Sequence, residues 1–374
     1  MIKAKSLIPV GIMAGAIIGA GIFSLPFIFA QIGIFNGFVI MALATAVVVM
    51  IHLFYADIIV RTKERHNFVG FSRLYLGPTS AAFSVLMTVV QMMLVLVIYL
   101  VLSLSFTKLI FGSSSFSHLL IFWLLGTVVI FLNLKKLGLL ESIIAIGMIG
   151  IIAVIFIIAL PEMFPLVIDV TVPTVGRALS PIAPIFFALV GRVAVLAIAR
   201  SSRKNVIKIR RSIILGTITP AIVYIFFILA VIALSAPVSP DSVSGLVGQL
   251  PSSLLILIGV LGLLSLWSSY IIIGYNVNDI LKVDMKWPGF FRVAAIALLP
   301  LTFYLAGFQD FIKLVSLAGG LFFGLEALFI MAMWIEAKKK RRGKMILGDI
   351  PKSVIGLLSI LFILIILNQI YELF

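Results

Sequence analysis

The chain has no cysteine, only three histidines and only 13 acidic residues among 374. Without cysteine there is no disulfide framework. The histidines, His52, His66 and His118, are too scattered to form a metal-spaced cluster. No ATP-binding glycine loop and no nucleophile–base constellation is present, so the chain is not expected to be an enzyme. Charge is scarce too. Only 11% of residues are charged, against about 25% in a soluble globular domain, too few to clothe a water-facing surface. The alternation over about ten residues that marks a membrane barrel is also missing.

Apolar runs fill the space instead. Hydrophobic residues make up 63% of the chain and mean hydropathy is +1.31. Runs of about twenty apolar residues recur along its length, enough to cross about 30 Å of hydrocarbon as helix. Backbone groups in lipid must satisfy one another, so these runs are helices. The pattern predicts an all-α integral membrane protein with eleven transmembrane helices, at 6–32, 35–60, 80–111, 117–133, 139–160, 179–200, 212–236, 252–281, 289–306, 312–336 and 352–372. The first reads as a retained span. Its apolar stretch runs from Lys5 to about Gly33 without a small-residue cleavage site. A single transmembrane domain over 1–374 is expected, with no separate soluble domain.

The net charge of +15 would suit nucleic acid, but its placement does not. Lysines and arginines sit in short segments between apolar runs, leaving no basic domain to hold a duplex. With the N-terminus cytoplasmic, all but four of the 28 basic residues (Lys108, Arg177, Arg192 and Lys313) fall on the inner side, as the positive-inside rule requires. This predicts a multi-pass protein of the inner (plasma) membrane with its C-terminus outside. The longest outer connections, 161–178 and 237–251, follow the fifth and seventh spans. That spacing suits two five-helix halves, about 6–160 and 179–336, plus an extra helix at about 352–372. An odd repeat length inverts the second half relative to the first, as in many secondary transporters.

The first helix of each half is interrupted. Gly15, Gly19, Gly21 and Pro26 crowd the middle of span 1, and Pro181, Pro184 and Gly191 crowd span 6. Glycine weakens a helix and proline removes a donor. Close packing through small residues is one reading. Unwound segments that line a binding site are the other, and interruptions at corresponding positions favour it. Half-helix N-termini there suit a carboxylate, while freed carbonyls suit a cation or an ammonium.

Two charges lie at membrane depth, Arg192 just after the second interruption and Glu326 near the middle of span 10. Such charges are costly and commonly functional. They form a mutual ion pair, or Arg192 meets a substrate carboxylate and Glu326 carries a proton. Asp57, with His52 nearby, is a further proton-pathway candidate, although Asp57 also has Arg61 one turn on.

Gly19-Ala-Gly21-Ile-Phe-Ser-Leu-Pro26 resembles the helix-1 signature of the amino acid/auxin permease family and of the hydroxy/aromatic amino acid permeases, within the amino acid–polyamine–cation superfamily. Phe187-Ala-Leu-Val-Gly191 is similar to their helix-6 break, with Leu189 in place of a second aromatic. The stretch from His52 to Thr62, with Asp57 and Arg61, resembles the close of their helix 2. The resemblance implies a LeuT-type 5+5 inverted repeat plus one extra C-terminal helix, alternating access, and neutral, aromatic or other hydrophobic L-amino acids as cargo. It implies that the substrate meets the backbone at Gly19, Ala20, Gly21 and Ile22, faced by Phe187, Ala188 and Gly191. Tyr99 is either a lid over that site or a tyrosine packed between helices. A sodium site, where members have one, would draw on Gly15, Ile18, Ser265, Ser268 and Ser269; those serines could equally hydrogen-bond within or between helices.

The expected function is cation-coupled symport of an amino acid into the cytoplasm, with sodium or protons as coupling ion and no cofactor. The bilayer is the only other partner expected, with no nucleic acid and no obligate protein partner. The alternatives are a proton-coupled transporter or exchanger, and a non-transporting nutrient sensor of the germinant-receptor kind.

Overall fold

The computed structural model describes residues 4–64, 66–131, 137–163, 179–202, 205–235, 237–340 and 345–373. Apart from one isolated bridge between Val247 and Leu250, all regular structure among them is helical. The first span is split. Helix α1 (Ala4–Ile17) stops short of Gly19, whose backbone is extended, and a 3-10 turn (Ala20–Ser24) leads into α2 (Leu25–Ile32). The two halves bend by 46°. Pro26 sits in the first turn of α2, where a missing N–H costs nothing.

Next come α3 (Ile34–Arg61), α4 (Phe68–Leu76), α5 (Pro78–Phe111), α6 (Phe116–Ile130) and α7 (Leu137–Ala159). The sixth span is also split, into α8 (Ile182–Leu189) and α9 (Arg192–Ser201), with Val190 and Gly191 between them non-helical. Helices α10 (Val206–Leu234), α11 (Ser252–Val283) and α12 (Gly289–Leu305) follow. A third interruption then separates α13 (Phe311–Leu317) from α14 (Phe323–Lys340) by a π-helical turn, Ala318–Phe322, and α15 (Lys352–Tyr371) closes the chain.

Among the described residues, eight spans are long and apolar enough to cross a membrane, counting α8 with α9 and α13 with α14 as single spans. The bent α1–α2 pair passes the same test as one span, and α6 and α12 are shorter apolar helices.

Two elements depart from the hydropathy reading. Helix α4 has only nine residues and is capped by Asn67, whose side chain accepts from Gly70 N at 2.8 Å. It is too short to span, so hydropathy does not mark it. The π turn interrupts what reads as a continuous helix at 312–336. There the chain passes so close to α8 that a Cβ on Gly319 would collide with the Ala183 carbonyl oxygen. Only a residue without a side chain permits that approach.

The split helices lie at the centre. Helix α1 packs on α10, α8 packs on the π turn and on α3, and α5 packs along α11. Leu43, Leu86, Ile157 and Leu357 are exposed on the outside of the bundle, where lipid rather than water makes them inexpensive.

Candidate substrate and ion site

The two breaks meet backbone to backbone. A Cβ placed on Gly21 would lie 2.5 Å from Ala188 Cα, so glycine at 21 is what lets the first break touch the second. Each break also leaves backbone groups without a helical partner, and a buried orphan costs about as much as a lost hydrogen bond. Side chains from two other helices take them up. Tyr224 of α10 is fully buried, with its hydroxyl 2.8 Å from Ile17 O and 3.0 Å from Ala188 O. His52 of α3 accepts from Gly191 N at 3.1 Å through Nε2. Its Nδ1 lies 3.4 Å from Thr217 Oγ1. Because Nε2 accepts, the ring is neutral with its proton on Nδ1.

A cavity of about 650 Å³ begins at the breaks. Gly19, Ala20, Gly21, Phe187 and Gly191 line its inner end, with Tyr99 of α5 beside them. Of the residues assigned to this wall from sequence, Ile22 and Ala188 are buried behind it, outside the lining. The cavity runs along the first turns of α1, past Ile12 and Ile8, and along α5 and α11 past Gln91 and Asn276. At the other end the way is shut. Phe23 packs edge-on to Phe106 at 5.0 Å and to Phe227 at 5.8 Å, and Ser242 Oγ donates to Phe23 O at 2.6 Å. The segment holding Ser242 is anchored by Asp241, which accepts from Ser239, from Ser244 Oγ and from Ser244 N. Burial pushes the Asp241 carboxyl up, but hydrogen bonds from Ser105, Ser239 and Ser244 outweigh it and hold the group below its usual range.

Arg192 and Glu326 both reach the cavity wall and pair with each other, Nε to Oε1 at 2.5 Å. Neither of those two atoms makes an aligned hydrogen bond, so the attraction is ionic. The guanidinium also lies over the Phe68 ring, 4.5 Å from its centre. The mutual ion pair open from sequence is therefore present, and it leaves both groups at the cavity edge.

Of the sodium candidates, Gly15, Ile18 and Ser269 share the cavity wall. Ser265 and Ser268 lie outside that lining, and the Ser268 hydroxyl donates to Ser265 O at 3.0 Å within α11. Asp57 lies elsewhere. It is fully buried, and its oxygens accept from Arg61 Nε at 2.9 Å, Trp334 Nε1 at 2.8 Å and Ile346 N at 2.6 Å. Saturated by three donors, it ties α3 to α14 and to the segment after it.

Sequence reasoning did not single out Tyr224, Gln91 or Asn276. Gln91 and Asn276 are uncharged polar residues inside long apolar helices. Their eight- and seven-residue spacings from Tyr99 and Ser269 put each pair on one helix face, a signal that was available.

Several solved structures share this fold, Mhp1 and a manganese transporter among them. Mhp1, a nucleobase-cation-symport-1 family transporter, in its inward-facing conformation aligns with 98% of this chain and 89% of its own, at 14% identity and a TM-score of 0.67. The Eremococcus coleocola manganese transporter (mutant H236A) aligns with 97% and 85%, at 15% identity and 0.68. MhsT in complex with L-phenylalanine aligns with 97% and 98%, at 16% identity and 0.63. At such identities the likeness establishes the LeuT-type fold alone. No curated protein sequence matches the chain. The match that reaches family level runs over residues 3–371, nearly the whole chain, and by it this protein belongs to the tryptophan/tyrosine permease family.

Proposed function

We propose that this permease is a secondary active symporter that imports aromatic L-amino acids by alternating access. The observation that carries the reading is the contact of Gly21 with Ala188 at the closed end of a 650 Å³ cavity. The backbone of Gly19, Ala20 and Gly21, which lines the cavity where the broken helices meet, would receive the substrate's ammonium and carboxylate. Apolar residues of the same cavity, among them Met92, Val95, Ile149 and Phe187, would enclose a ring. The permease family and the L-phenylalanine bound to MhsT support an aromatic cargo. In this reading there are eleven spans, with α6 and α12 crossing the bilayer and the halves 6–160 and 179–336 inverted. The basic segments face the cytoplasm, so the cavity opens inward.

Substrate binding is assigned to Gly19, Ala20, Gly21, Tyr99, Phe187, Gly191 and Arg192, with Ile22 and Ala188 packed behind that wall. Sodium is the first candidate for coupling ion, at Gly15, Ile18, Ser265, Ser268 and Ser269, supported by the shared position of Gly15, Ile18 and Ser269 on the cavity wall. Proton coupling is the second, supported by Glu326, a carboxyl at the cavity edge whose charge partner is a single arginine. Asp57, with its oxygens already taken, is the weaker proton candidate.

The test is uptake of labelled L-amino acids into proteoliposomes with the sodium and proton gradients imposed separately. Accumulation of tryptophan, tyrosine or phenylalanine under one gradient supports the reading and names the ion. Ligand binding without accumulation under either gradient would sink it in favour of a sensor.

A further inference from the structure

The carbonyls of Ile17 and Ala188 hold equivalent positions in the two split spans. Ile17 ends α1 and Ala188 is the last residue but one of α8, so each lies where the interruption removes a helical donor. Carbonyls freed in this way are what a cation or an ammonium would gather. Here both converge on one side chain, the hydroxyl of Tyr224, at 2.8 and 3.0 Å. A phenol has a single proton, so it can donate fully to only one of them at a time.

Thr217 stands seven residues before Tyr224 on α10, on the same helix face. It backs His52, which holds the Gly191 amide. One face of α10, with His52, therefore takes up freed groups on both sides of the meeting point. Arg192 is the charged group that acts on His52, with Glu326 paired to it, and the Tyr224 hydroxyl bonds instead to Ile17 O and Ala188 O.

We propose that Tyr224 is a positioning residue that pins the two broken helices to each other, doing with a fixed hydroxyl what a bridging cation would otherwise do. The brace holds the Gly19–Ile22 wall and the Phe187–Gly191 wall in register while the cavity is empty. They then move as one unit, and the substrate meets a preformed site. The part of this that concerns substrate affinity rests on the proposed transport function. The part that concerns spacing does not.

Because the chain lacks cysteine, spin labels can be attached at Ile12→Cys on α1 and Ala197→Cys on α9. Both positions line the open part of the cavity. The distance distribution between them is measured in the full-length protein in lipid, with and without Tyr224→Phe. Phenylalanine keeps the ring that fills the buried position and removes only the hydroxyl. Tyr75→Phe is the control: it deletes a buried tyrosine hydroxyl bonded to Thr62 at 2.8 Å, far from the breaks.

The expected result is a distribution that broadens or shifts with Tyr224→Phe and not with Tyr75→Phe. Alongside it, the KM for uptake should rise roughly three- to ten-fold, the equivalent of one net hydrogen bond. If Tyr224→Phe gives no folded protein, Thr217→Val loosens the same brace more gently and should broaden the distribution to a lesser degree. An unchanged distribution in whichever variant folds overturns the brace. So does equal broadening by Tyr75→Phe. If the parent protein transports no aromatic amino acid, the transport reading falls, and the spin-label distances still decide the brace.

Discussion

Ala188 Cα lies 2.5 Å from where a side chain on Gly21 would begin. The backbone of the first break thus rests on that of the second with no room between them. Leucine at 21 would have to push the two split spans apart. Gly21→Leu is therefore expected to reduce uptake to background while leaving membrane insertion and yield near normal, since the outer faces of both spans are untouched. Membrane yield and proteoliposome uptake, measured together, check both halves of that expectation.

The Arg192–Glu326 pair lends itself to a double-mutant cycle. Breaking a buried pair by removing one partner typically costs about 3–5 kcal/mol, because a charge is left uncompensated. Arg192→Gln and Glu326→Gln should each lower the melting temperature, and the double variant should recover part of the loss. If Glu326 also carries the coupling proton, Glu326→Gln should lose proton-driven accumulation yet retain exchange of internal for external substrate.

Ser268→Ala with Ser269→Ala tests the sodium assignment. Loss of sodium-stimulated uptake is the expected outcome, read as a sodium titration at fixed substrate. An unaltered titration would remove the serines from consideration.

Asp57→Asn should act on stability rather than on affinity. The carboxylate accepts from Arg61, Trp334 and Ile346 N, and hydrogen bonds involving a charged group are worth about 1.5–3 kcal/mol each. A lower melting temperature with an unchanged KM is expected. A change in proton dependence instead would restore Asp57 as a coupling residue.

The segment that shuts the cavity at the Phe23 end has its own pH signature. Asp241 is held below its ordinary value of 3.8, so its folded state favours the carboxylate. The stability this brings is fully present above the unfolded pKa and is lost as pH falls through the lower folded one. Hydrogen-exchange protection at 239–246, corrected for the intrinsic pH dependence of amide exchange, should accordingly be flat from about pH 5 to 8 and fall only in acid below about 4. Asp241→Asn should abolish that acid step.

Much of this was legible because charge and helix breakers are rare in such a chain. Four helix-disrupting residues inside span 1 stand out against apolar sequence, and the structure splits α1 from α2 there and α8 from α9 at Val190 and Gly191. Arg192 and Glu326 were conspicuous for the same reason. The π turn at Ala318–Phe322 gave no such warning, since glycines there read as ordinary small residues until their distance to α8 is known. The Tyr224 and His52 contacts were hidden further still. Both join residues more than thirty-five positions apart or on different spans, and depend on how α10 and α3 are rotated about their axes.

Composition alone determined that this chain crosses a membrane as helices, since so few charges cannot face water and backbone in lipid must bond to itself. Gly19 and Gly191 marked where helical bonding fails, whereas Pro9, Pro220 and Pro300 lie inside continuous helices and Pro181 and Pro184 begin one. Tertiary structure decided what the freed groups then meet: Ala188 against Gly21, one tyrosine hydroxyl across two carbonyls, one histidine under an amide. Helix propensity and hydropathy act along the chain, whereas these contacts depend on the separation and rotation of packed helices, which no local pattern encodes.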